Sequence, residues 1–80
     1  NAMDVPVGLF TQSSHAIARG LQQAVLKSNR AKGTKFQSAM SMLNYFINRG
    51  GKKISPEDRA RLEAAKNELR KLFGKPIKQQ

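Results

Sequence analysis

The run Lys32-Gly33-Thr34-Lys35 is where this chain comes nearest to chemistry on a small anion. Two ammonium groups flank a hydroxyl, and a helix opening at Thr34 would turn its unpaired backbone amides toward the same point. A phosphate contact is therefore expected from Lys32, Thr34 and Lys35, together with the amides from Thr34 to Gln37. The alternative is a solvated basic turn with no specific ligand. Nucleotide hydrolysis is not expected, because the G-x-x-x-x-G-K-[ST] spacing is absent and no strand precedes the segment. Arg49, Lys52 and Lys53 form a second basic group downstream. Between the two groups Gln37, Ser41, Asn44 and Asn48 recur every three or four residues as an uncharged polar row. Side-chain amides pair with adenine edges in bidentate fashion, so Gln37, Asn44 and Asn48 are the expected base contacts. The same row could instead face water or another subunit.

Catalysis has little to draw on. There is one histidine and no cysteine, and four of the five carboxylates fall between Glu57 and Glu68, interleaved with Arg and Lys. His15 has no second histidine or acid at ligand spacing, so it reads as a surface or capping group rather than a metal ligand or a base. No catalytic residue, metal ligand or cofactor is expected, and the chain is not expected to be an enzyme.

Charge points to the partner. Fifteen Lys and Arg oppose five Asp and Glu, a formal net charge of +10. Residues 5–56 hold eight cations and no anion at all. Such an excess steers polyanions to the surface, so the expected partner is nucleic acid, DNA ahead of RNA, or else an acidic protein. A membrane is not expected: no apolar run approaches the ~18 residues of a span, and the N-terminus lacks a signal-peptide pattern. The cytoplasm is the expected compartment. Asn1 and Ala2 ahead of Met3 look like the remnant of a cleaved tag, which places the expected natural start at Met3.

Positioning those cations falls to an expected all-α fold, a small three-helix bundle with an extended N-terminal arm. Pro6 and Gly8 break residues 3–12 into an arm anchored by Leu9 and Phe10. Helix one is expected over 13–30, with Ile17, Ala18, Leu21, Ala24 and Val25 on one face. Helix two, expected over 35–49, is capped by Thr34 and carries Phe36, Ala39, Met40, Leu43 and Ile47, widened by Met42 and Phe46. So broad an apolar face argues for the central position in the bundle. Gly50 and Gly51 stop it. Ser55 as N-cap, Pro56 at the first position, and Glu57 and Asp58 facing the dipole open helix three, expected over 56–73. Leu62, Ala65, Leu69, Leu72 and Phe73 are its buried stripe, and Gly74 and Pro76 end it, leaving 75–80 as a mobile tail. Glu57 with Arg61, Arg59 with Glu63, and Glu68 with Lys71 are spaced to pair on its wet side.

A domain of this size buries only about 60% of its unfolded surface, so help from a second subunit is plausible. Leu26 lies about half a turn from the core face of helix one, and with Met42 and Tyr45 it could form the seam of a homodimer. Isolated surface apolar residues are also common and need no partner.

The segments IAR at 17–19, FQSAMSMLNYFINRGGK at 36–52 and LEAAKNELRKLFGK at 62–75 resemble a family of short basic bacterial proteins known only as a domain of unknown function. The resemblance spans nearly the whole chain and implies a bacterial stand-alone domain. It brings no activity, cofactor or site residue with it.

Overall fold

The computed structural model describes residues 8–27 and 34–78. Three helices account for most of them: α1 (Ser14–Lys27), α2 (Lys35–Gly50) and α3 (Pro56–Leu72). Short 3-10 turns lie at Leu9–Thr11 and Gly51–Lys53, and no strand occurs among the described residues. The end of helix one expected near Arg30, and the first connection with Lys32, lie outside the described residues.

Each helix starts where a side chain can satisfy an amide that has no partner within the helix. Ser13 Oγ accepts from Ala16 N at 3.2 Å. Thr34 and Gln37 form a reciprocal capping box: Thr34 Oγ1 accepts from Gln37 N at 2.9 Å, and Gln37 Oε1 accepts from Thr34 N at 3.4 Å. Ser55 Oγ accepts from Asp58 N at 3.1 Å, with Pro56 behind it and two acids in the first turn. The helix ends are equally determined. Gly51 takes φ +50° and donates its amide to Ile47 O, closing α2. At the end of α3, Gly74 with φ +69° permits Gly74 N to reach Lys71 O and Lys75 N to reach Arg70 O, which satisfies the last carbonyls.

The core joins all three helices and the N-terminal turn. Ile17, Ala18, Leu21 and Val25 from α1 meet Ala39, Leu43 and Ile47 from α2 and Leu62, Ala65 and Leu69 from α3. One alanine per helix, Ala18, Ala39 and Ala65, is fully buried, which lets the backbones approach closely. The most extensive packing is α1 against α3, so the central position expected for α2 belongs to α1. The reason is the use made of the extra apolar width of α2. Phe46 receives Phe10, the rings stacked at 4.1 Å, while Tyr45 points to solvent.

The expected extended arm needs correction over residues 8–12, where the chain turns; residues 1–7 lie outside the described residues. Leu9 and Phe10 are anchors as expected. Leu9 is 3% exposed and sits directly on Gly20 of α1, where any Cβ would overlap its side chain. Arg61 fixes the same turn from α3, its Nη1 donating to Phe10 O and Gln12 O.

Gly20 within a helix should by propensity alone be improved by alanine, by about 0.5–1 kcal/mol. Here the methyl would meet a buried side chain with nowhere to go, and overpacking of that kind costs about 1–3 kcal/mol. Gly20→Ala is therefore expected to destabilise the protein, yet to stabilise it in a Leu9→Ala background, where the methyl fills vacated space. Urea denaturation of the four proteins of this cycle measures both signs; the same sign in both backgrounds would rule out the seat.

Candidate functional site

The cations that carry the charge argument occupy the two ends of α2. By the 1.5 Å rise of an α-helix these ends lie more than 20 Å apart, so the two expected phosphate groups do not converge on one site. At the first end Lys35 is half-buried in the opening turn, and Lys32 lies outside the described residues. The capping box uses the Thr34 hydroxyl and the amides of Thr34 and Gln37 within the helix start itself. It also engages the Gln37 side-chain oxygen, leaving that residue less suited to the base contact expected of it than Asn44 or Asn48. The spacing Thr34-x-x-Gln37 is the signal by which the sequence discloses this.

Cations from α3 approach this end but are tied. Lys75 Nζ lies over the Phe36 ring at 5.5 Å, with Phe73 edge-on to Phe36 at 5.7 Å. Arg70 donates to Asn67 Oδ1 at 2.8 Å, and Lys71 pairs with Glu68 at 3.5 Å. Asn67 also holds the tail, donating to Lys78 O and accepting from Lys78 N.

The second end is more open. Lys52 and Lys53 stand exposed on the 3-10 turn, and exposed Arg49 precedes them on the last turn of α2. Arg59 joins from α3 by donating to Gly51 O at 2.9 Å. Its expected ion pair with Glu63 is replaced by this contact, just as Arg61 bonds the N-terminal turn and Asp58 instead of Glu57. Residues 49–61 thus hold five cations and two carboxylates, Glu57 and Asp58, and only Asp58 is paired. Among the described residues Arg49, Lys52 and Lys53 have no acidic partner, because the remaining acids of α3 bind its own Lys66 and Lys71 and His15 of α1.

Between the two ends the polar row faces outward: Gln37, Ser41 and Asn48 are exposed and Asn44 half-buried. Tyr45 and Arg49 stand beside it, the guanidinium 5.8 Å from the ring centre and Nη1 3.5 Å from the phenol oxygen. Ser38, Ser41, Met42 and Tyr45 line a shallow groove on this face, and Phe36, Gln37, Ser38, Met40 and Ser41 line another. Of the expected oligomer contacts, Leu26 is 61% and Tyr45 63% exposed, while Met42 is half-buried against the core.

His15 finds the acid that local spacing did not supply. Its Nδ1 lies 3.3 Å from Glu68 Oε1, a contact across 53 residues in which the carboxylate can only accept. No group of three or more His, Cys, Asp or Glu that could hold a metal occurs among the described residues, and no helix there is long and apolar enough to cross a membrane.

These features define a basic three-helix bundle in which, among the described residues, Arg49, Lys52 and Lys53 gather without an acidic partner at the junction of its second and third helices. The chain belongs to a family described as protein of unknown function (DUF3175), whose model matches residues 1–75. No curated protein and no solved structure matches the chain.

Glu68 supplies a pH test of the contact between α1 and α3. The His15 hydrogen bond, aided by Lys71 and opposed by partial burial, holds its carboxyl below the ordinary value of 4.5. Ionised Glu68 therefore favours the folded state above the unfolded value, and this contribution fades as pH falls through the lowered one. Glu68→Gln should be less stable than the parent at pH 7, with the difference narrowing progressively as pH falls below 4.5, as read by urea midpoints. A difference independent of pH would show that the charge of Glu68 contributes nothing.

Proposed function

We propose that this protein is a non-catalytic nucleic-acid-binding domain that engages the phosphate backbone. The observation that carries the reading is the end of α2 and the turn after it, where Arg49, Lys52 and Lys53 are exposed without an acidic partner among the described residues. Cations in that state can neutralise phosphates and displace the counterions condensed on a nucleic acid, and the release of those ions drives association. Lys35 would add a contact at the far end of α2, so that a backbone lying along the helix meets positive charge at both ends. DNA stands ahead of RNA as the expected polyanion. Asn44 and Asn48 face the same way and suit base edges. The cytoplasm is the compartment this role implies.

A second reading, a homodimer or a module for an acidic protein, draws on the exposure of Leu26 together with Met42 and Tyr45. Sedimentation across a range of concentrations, with Leu26→Glu as control, separates it from the first.

Neutralising about four or five phosphates should give a slope near −4 for log affinity against log salt on duplex DNA. Lys52→Gln with Lys53→Gln is expected to weaken binding on every sequence alike and to reduce that slope by about 2. Fluorescence anisotropy at several salt concentrations, with heparin as a polyanion control, gives both numbers. A flat salt response, or no binding at micromolar protein in low salt, removes the proposal.

A further inference from the structure

Tyr45 stands apart from the other aromatic side chains of the helices. Phe46, 37% exposed, is stacked on Phe10, and half-buried Phe36 is contacted by Phe73 and Lys75. Tyr45 is 63% exposed, and no ring of the described residues stacks on it. Its hydroxyl and one side of its ring are held by Arg49 four residues on, which orients the side chain without covering it. The groove beside it runs along Ser38, Ser41 and Met42, so the ring closes one end of an apolar trough with small hydroxyl groups along it. Asn48, exposed one turn beyond Tyr45, puts an amide within reach of anything lying on the ring. The cations without acidic partners follow directly: Arg49, then Lys52 and Lys53.

A planar π-face next to fixed positive charge, with an amide at its edge, matches the needs of an unpaired nucleotide: stacking for the base, a hydrogen bond for its edge, cations for the phosphates. A duplex cannot use the ring in this way, because its bases present only edges in the grooves. A second copy of the chain fits less well, since it would bring another +10 charge against the same cations, and interface centres are depleted of charge.

We infer that Tyr45 is a stacking platform for an unpaired base, so that single-stranded nucleic acid is the favoured ligand of the surface formed with Asn48, Arg49, Lys52 and Lys53. This rests on the phosphate-binding reading above and specifies its ligand.

The chain offers its own reporter, because Tyr45 is its single tyrosine and there is no tryptophan. Titration with single-stranded DNA and RNA oligomers should quench the tyrosine emission, after correction for absorbance against free tyrosine. Abasic oligomers of equal length and charge, and duplex DNA, should bind without comparable quenching. Tyr45→Ala, an exposed position whose loss leaves the core intact, should weaken single-strand binding by roughly 5- to 100-fold, down to the abasic level. Its affinity for abasic and duplex ligands should hold, and Tyr45→Phe should retain single-strand binding.

Equal affinity for normal and abasic strands, unchanged by Tyr45→Ala, would overturn the stacking inference while salt-dependent binding left the phosphate reading standing. Failure of every polyanion to bind at low salt would overturn both. A dimer that Tyr45→Ala dissociates, without quenching by any strand, would assign the ring to a second copy and overturn the inference as well.

Discussion

A short chain without cysteine must close its core with side chains alone, and in this protein the N-terminal turn makes the closure. Leu9 enters against the bare backbone of Gly20, Phe10 covers Phe46, and Arg61 of α3 grips the carbonyls of Phe10 and Gln12. These three contacts come from three different helices, so the turn joins α1, α2 and α3 at one point. It also decides which aromatic faces remain open. With one side of Phe46 stacked on the turn, Tyr45 is the more exposed of the two neighbouring rings, 63% against 37%.

The choice of partners made by the arginines of α3 follows from magnitudes. A hydrogen bond from a charged donor to a carbonyl contributes about 1.5–3 kcal/mol, whereas a solvent-exposed pair along a helix contributes about 0.3–0.5 kcal/mol. Arg59 and Arg61 accordingly reach for Gly51 O, Phe10 O and Gln12 O, and neither takes its expected partner four residues away. The consequence is structural and electrostatic together. Each arginine ties a turn to α3, and the acids left over pair locally with Asp58–Arg61, Glu63–Lys66 and Glu68–Lys71 contacts. None of these reaches Arg49, Lys52 or Lys53, which have no acidic partner among the described residues.

What could be read from the sequence is what local chemistry determines. Ser55-Pro56-Glu57-Asp58 marks the start of α3 whatever surrounds it, and Gly51 and Gly74 occupy backbone positions where a Cβ is disfavoured. The core stripes follow from helical period, and Ile17, Ala18, Leu21, Ala24 and Val25 of α1 are buried as expected, while Ser28 of the same expected face lies outside the described residues. Features that need two distant segments were not legible. The contact of His15 with Glu68, the seat of Leu9 on Gly20 and the stacking of Phe10 on Phe46 all depend on which faces meet. The central role assigned to α2 failed for that reason: its apolar width is real, but the turn and solvent take part of it. At the candidate site the exposed lysines of the 3-10 turn were legible from charge and flanking glycines. The capping box of Thr34 and Gln37 is written in their spacing, and it occupies the hydroxyl and amides that an anion at this helix start would need.

The adjacent residues Tyr45 and Phe46 show how the fold divides labour along one helix. A step of about 100° separates their side chains, enough to send one under the N-terminal turn and leave the other outside. Had the turn not covered Phe46, two large rings would stand open side by side, a patch suited to self-association more than to a charged polymer. Stacking on Phe10 leaves Phe46 37% exposed against 63% for Tyr45, which Arg49 contacts, with Lys52 and Lys53 on the next turn. The turn that closes the core thus also covers one side of Phe46, so stability and the apolar exposure of α2 depend on the same contact.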